Sequence, residues 1–197
     1  MSESRLKSRR RSTRSHSRNE GLADANPSFD IEDDAPMTPE RMTTLAKNMV
    51  LRKLTRAPQT RQQLADYLSE RGIAEEIVSE VLGRMTDVGL INDAEFAAMF
   101  VRAKRASRGL APRVLAQELR QRGVDDDIIT TELAAISPTD DRDLAKSLVA
   151  KKLMATARLD KETRIRRLTS MLVRKGFSAG LAFEVVREAI GELPAED

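Results

Sequence analysis

Residues 64–73 read LADYLSERGI, residues 115–124 read LAQELRQRGV and residues 168–177 read LTSMLVRKGF. Each stretch holds two leucines four apart, a basic residue three positions after the second leucine, a glycine and an apolar residue. The leucine pair marks one face of a helix, because residues four apart stack on the same side. The glycine suits a left-handed helix stop, and the apolar residue after it can fold back onto the second leucine, as a Schellman cap requires. Gly72, Gly123 and Gly176 stand 51 and 53 residues apart. A period near 50 announces supersecondary units repeated in a row.

Around each of these helices the sequence places two others. Pro39 suits a first helical turn, and Leu45, Met49 and Val50 begin an apolar face over residues 40–55. Thr60 and Gln63 form a capping box that opens the helix ending at Gly72, and a further helix runs over residues 74–88. In the second unit Asn92 and Glu95 make another candidate box, with Phe96, Phe100 and Val101 on the apolar face of a helix over 93–107. Gly109 breaks it, and Pro112 starts the helix that ends at Gly123. Asp125, Asp126 and Asp127 then occupy a helix start, where carboxylates favour the positive end of the macrodipole. The third unit begins after Ser137-Pro138, loosens near 154–160 and continues with helices over 161–175 and 178–191. No stretch alternates with a period of two over a strand-like length.

These readings define an all-α chain of three three-helix repeats at 39–91, 92–137 and 138–192, with a C-terminal tail at 193–197. Residues 1–38 form a separate N-terminal extension. Seven Lys/Arg fall in residues 1–18, and seven Asp/Glu with no Lys/Arg fall in residues 19–40. With almost no periodic apolar residues, this segment cannot offset its ordering entropy and is expected to be disordered.

Composition removes much chemistry. The chain has no cysteine, which excludes disulfides, thiolate nucleophiles and the usual zinc sets. Its single histidine, His16, lies in the expected tail, so it is not positioned for general acid-base work. The glycines are isolated after apolar helices and form no phosphate loop. Three consecutive aspartates at a helix start radiate outward and do not converge on a cation. No cofactor or metal is expected. No apolar run approaches the ~20 residues needed to span a bilayer, and the basic N-terminus lacks an apolar signal core, so a cytoplasmic protein is expected.

Charge supplies the candidate functional residues. From Phe96 to Gln117 no residue is acidic, while Arg102, Lys104, Arg105, Arg108 and Arg113 are basic, with Arg120 and Arg122 following Glu118. Helix spacing sets Arg102, Arg105 and Arg108 along one face. A second concentration includes Lys151, Lys152, Arg164, Arg167, Arg174 and Lys175, and spacing sets Arg164 and Arg167 on one side of their helix near Arg174. A solvated helix face and a surface for phosphates or an acidic protein are both consistent with these charges. Base stacking is poorly supported, because Tyr67, Phe96, Phe100 and Phe177 fall at helix-face or cap positions.

The stretch GLINDAEFAAMFVRAKRASRGLAPRVLAQELRQRGVDDDII, residues 89–129, resembles the RecX family of bacterial recombination regulators. RKLTRAPQTRQQLADYLSERGIAEEIVSEVLGRM at 52–85 matches that family's first unit, and RIRRLTSMLVRKGFS at 164–178 resembles its third less closely. The resemblance spans residues 41–192. Two departures are Leu110-Ala111, where the family often has Tyr-Gly, and Ser178-Ala179-Gly180, where the last helix usually starts with acidic residues.

The resemblance implies an elongated, curved, monomeric array that binds RecA and lies in the groove of the RecA–DNA filament. It implies a non-enzymatic regulator of recombination, DNA repair and the SOS response that mostly inhibits RecA's strand exchange, ATP hydrolysis and co-protease functions. Contact with DNA itself would be weak and non-specific. A helical DNA-binding module or transcription regulator acting without RecA is the alternative, because Arg-rich helices at this spacing also suit a duplex groove.

Overall fold

The computed structural model describes residues 38–191. The expected N-terminal tail up to residue 37, with His16, and the C-terminal tail lie outside the described residues. The described residues form nine α-helices and no strand: α1 Pro39–Arg56, α2 Arg61–Ser69, α3 Glu75–Asp87, α4 Asp93–Arg108, α5 Pro112–Arg120, α6 Asp126–Ala134, α7 Pro138–Leu153, α8 Lys161–Arg174 and α9 Ala179–Gly191. The loose stretch before α8 includes a 3₁₀ turn, Met154–Thr156.

Local chemistry sets these starts and stops. At α2 the Gln63 N–H donates to Thr60 Oγ1 and the Thr60 N–H donates to Gln63 Oε1, completing the box. At α4 only half of the expected box forms: Asn92 Oδ1 accepts from the Glu95 N–H at 3.0 Å, without a return bond from the Glu95 carboxylate. A full box appears instead at α7, where Ser137 and Asp140 exchange bonds. There an acidic residue of the first helical turn closes the cap.

All three leucine-glycine templates end in Schellman caps. The Ile73, Val124 and Phe177 N–H groups donate to the carbonyls of Leu68, Leu119 and Leu172 at 3.3, 3.2 and 3.2 Å. Gly72, Gly123 and Gly176 have φ of 74°, 72° and 96°, a region that a side chain disfavours. The three apolar residues after them are buried.

Each repeat closes its own aliphatic core. Ala46, Val50, Leu64, Leu68 and Leu82 pack in the first, Ala97, Val101, Leu115, Leu119 and Ile129 in the second, and Ala145, Val149, Leu168, Leu172 and Val185 in the third. Each fully buried leucine contributes about 1.5–3 kcal/mol relative to exposure. An Ala-x-x-x-Val pair recurs on the first helix of every unit, and all six of these residues are buried.

The caps also join the repeats. Thr60 Oγ1, wholly buried, donates to the Arg122 carbonyl at 2.5 Å, so the C-terminal cap of α5 abuts the N-terminus of α2. The Ala111 N–H donates to the Lys175 carbonyl at 2.9 Å, so the cap of α8 abuts the N-terminus of α5. In both joints the carbonyl end of one helix dipole meets the N–H end of another, an attractive arrangement that also satisfies orphan backbone groups. The second joint is reinforced: Ala111 belongs to the third core, Arg105 pairs with Asp141 at 2.6 Å, and Lys175 Nζ donates to the Arg108 carbonyl.

Candidate interaction surface

The joints leave a groove at each seam between repeats. The first, about 510 Å³, lies between the end of α1 and the first half of α4, with Leu51, Leu54, Leu90, Phe96 and Met99 in its walls and Arg102 on its edge. The second, about 330 Å³, lies between the end of α4 and α7, with Arg105, Arg108, Lys151 and Lys175 around Leu144 and Leu148. One seam is apolar and the other cationic.

The structure divides the predicted basic residues into two groups. Arg105 is held by Asp141, and Arg108 Nη1 lies 2.8 Å from Glu118 Oε1. Arg120 pairs with Asp126 at 2.6 Å. The Arg122 guanidinium sits 4.4 Å from the centre of the Phe100 ring and donates to the Glu118 carbonyl. Lys104 Nζ also lies over the Phe100 ring, 5.2 Å from its centroid, and Lys175 is engaged with the Arg108 carbonyl. In contrast, Arg102, Arg113, Lys151, Lys152, Arg167 and Arg174 are exposed and make no ion pair among the described residues.

Arg164 departs from the reading that set it on one side of the helix with Arg167. It stands four residues before Leu168 on the buried stripe, and its Nε and Nη2 are buried without a hydrogen-bond partner. The face of Arg102, Arg105 and Arg108 is likewise split, with Arg102 at the first seam and the other two at the second. Sequence spacing along α4 gave their direction but not the seams that separate them.

Several contributors carry no charge signature. Leu90 and Met99 are 52% and 38% exposed, beside the buried Ile91 and Phe96. Glu118 and Asp141 take charge away from the central cluster, from α5 and α7 respectively. Carboxylate chemistry follows the same contacts. Bonds from Ser137 and the field of Arg105 hold Asp140 below the ordinary carboxylate range, while Lys146 and Arg142 do so for Glu188. Burial raises Asp93, against the bond it accepts from the Arg61 N–H at 2.9 Å. Among the described residues no cluster of His, Cys, Asp or Glu is arranged to hold a metal ion, and no helix is long and apolar enough to cross a membrane.

Fold and surface together define a tandem array of three-helix repeats with an apolar groove at one seam and a cationic groove at the other. The comparisons give this class a family. Residues 46–85, 92–133 and 140–186 match the models of the first, second and third three-helix domains of RecX. The chain is 48% identical over 158 residues to a regulatory protein RecX of Thermobifida fusca, covering 80% of this chain and 84% of that one. It is 43% identical over 152 residues to a regulatory protein RecX of Mycobacterium ulcerans, covering 77% and 86%. The crystal structure of RecX from Lactobacillus salivarius superposes with a TM-score of 0.71 at 23% identity, covering 76% of this chain and 97% of that one. A crystal structure of regulatory protein RecX superposes with a TM-score of 0.68 at 26% identity, covering 76% and 73%. The chain belongs to the RecX family of regulatory proteins.

Proposed function

We propose that this chain is a non-enzymatic, cytoplasmic regulator of RecA that binds the RecA–DNA filament and inhibits strand exchange, ATP hydrolysis and co-protease activity. The observation that carries the reading is the succession of all three RecX domains in order along one chain. Repeats joined cap to helix start hold their surfaces in fixed register, which suits a partner that is itself a repeating polymer. Arg102, Arg113, Lys151, Lys152, Arg167 and Arg174 supply the exposed charge for the partner, with weak ionic contact to DNA. Lys104, Arg105, Arg108, Arg120, Arg122, Arg164 and Lys175 act by shaping and aligning that surface. A bound array would occupy the space needed by a second DNA strand, or hinder the subunit movement coupled to ATP turnover.

The test is a three-strand exchange reaction with RecA, run with cosedimentation of the chain on the RecA–single-strand filament. Inhibition at stoichiometric protein, with cosedimentation, is expected. No effect together with no filament binding refutes the proposal. Sequence-specific, salt-sensitive binding to duplex DNA without RecA would replace it with the DNA-binding reading.

A further inference from the structure

Each joint between repeats has two halves: the C-terminal cap of one middle helix, and the start of the middle helix in the preceding repeat. The Arg122–Gly123 cap fits the start of α2, where Thr60 meets the Arg122 carbonyl and Gln62 lies against Gly123. The Lys175–Gly176 cap fits the start of α5, where Ala111 meets the Lys175 carbonyl and Val114 lies against Gly176. Two halves are left over. At the Arg71–Gly72 cap nothing lies within 4 Å of a methyl group placed on the glycine. At the start of α8, no backbone hydrogen bond brings in a cap among the described residues.

The two leftover halves complement one another. Counted back from the template glycine, the places of Thr60 and Ala111, of Gln62 and of Val114 fall in α8 at Arg164, Arg166 and Arg167. Helix α8 starts fifteen residues before its glycine, against eleven for α2 and α5. The Arg164 N–H is therefore inside the helix, donating to the Asp160 carbonyl at 3.0 Å, and cannot serve as the Ala111 N–H does. The donors left at that place are on the guanidinium, whose Nε and Nη2 are buried without partners. These two nitrogens form the side-on fork of arginine, which matches a carboxylate. A fork turned inward without a partner gains by swinging out to one. The leftover cap carries that carboxylate: Glu70 stands two residues before Gly72, where the other caps have Gln121 and Arg174. Its side chain is 75% exposed and only loosely paired with Arg71, at 3.8 Å. The surrounding signs repeat those of the first joint, where Arg56 and Arg61 flank Thr60 while Asp125, Asp126 and Asp127 follow Gly123. Glu70, Glu75 and Glu76 outnumber Arg71 around the leftover cap. Lys161, Arg164, Arg166 and Arg167 outnumber Asp160 and Glu162 at the leftover start.

We propose that the chain docks head to tail with a second copy of itself: the Arg71–Gly72 cap of one copy seats on the start of α8 in the next, with Glu70 on the Arg164 fork beside Arg166. The contact continues the joint that already links the repeats, with an ion pair in place of the backbone bond, so it weakens with salt. Because its two faces differ, it adds copies in a row and does not stop at a pair. A row of copies linked in this way loads cooperatively on a repeating polymer.

Sedimentation velocity of the full chain at rising concentration tests it. The mean mass should climb past that of a dimer at low salt and fall back at high salt. Glu70→Lys alters the cap and Arg164→Glu the start of α8, and each should weaken self-association about tenfold. Mixed one to one, the two variants should recover it, because each altered face then meets its opposite charge. Circular dichroism checks that each variant folds. Arg166→Glu, at an exposed position, takes the place of Arg164→Glu if that half-buried substitution does not fold. A mean mass that stays at the monomer value up to about 1 mM chain, where even millimolar contacts show, overturns the proposal. So does self-association that persists in Glu70→Lys, or that stays lost when the folded variants are mixed. No RecA is present in these samples, so a failure here is distinct from a failure of the RecA reading, which ATP hydrolysis on the filament decides.

Discussion

Replacing the three template glycines one at a time with alanine separates their two roles. Gly72, Gly123 and Gly176 share the same cap and a positive φ, so each Gly→Ala carries a left-handed strain of about 1–2 kcal/mol. They differ in what surrounds them. A methyl group at Gly72 has open space within 4 Å. One at Gly123 overlaps Cβ and Cγ of Gln62, and one at Gly176 lies 2.9 Å from the Val114 backbone N. Neither contact is with the free end of a long side chain, so the joint must open, which adds about 1–3 kcal/mol as overpacking does elsewhere. The expected losses are about 1–2 kcal/mol for Gly72→Ala and 2–5 kcal/mol for the other two. Urea unfolding followed by circular dichroism reads these values, with unchanged m-values as the check that only stability moved. Equal losses at all three positions would refute the claim that the second and third caps are also joints.

Thr60→Val should cost about 2–3 kcal/mol in the same assay, because it removes a helix cap and leaves the Arg122 carbonyl unpaired in a partly buried place. Thr60→Ser keeps the hydroxyl and should recover most of that loss, whereas equal losses would deny the hydroxyl its role. Stability should also fall in acid, read as the melting temperature between pH 7 and pH 3. Asp140, Asp160 and Glu188 have folded pKa values below their ordinary ones, so their contribution is complete above the usual carboxylate range and is lost as pH drops through the folded values. Glu188→Gln should make the decline shallower, since it removes the carboxylate held by Lys146 and Arg142, and an unchanged slope would show that this group is not among those responsible.

What the sequence made legible is what local chemistry encodes. The Leu-x-x-x-Leu spacing, the glycine stop and the Thr60 box lie within one or two helical turns, and the structure realises them with their expected bonds. The joints were not legible, because the acceptors are backbone carbonyls of Arg122 and Lys175, which any residue supplies. Thr60 read as a cap because its second partner lies 62 residues away. The candidate surface fared similarly. Helix periodicity found the basic residues of α4 but not that Asp141, 36 residues on, holds Arg105. Periodicity also set Arg164 beside Arg167 on one side of the helix, although its position on the Leu168 stripe buries two of its nitrogens. The apolar half of the seams escaped a reading built on charge.

The central claim, that an array of joined repeats regulates RecA without chemistry of its own, is tested most directly by RecA's ATP hydrolysis on single-stranded DNA. The full chain and residues 39–197 are titrated against the assembled filament. Both should suppress hydrolysis at stoichiometric protein to a similar extent. Unchanged hydrolysis with both contradicts the account, and suppression by the full chain alone would move the activity from the repeats to the N-terminal extension.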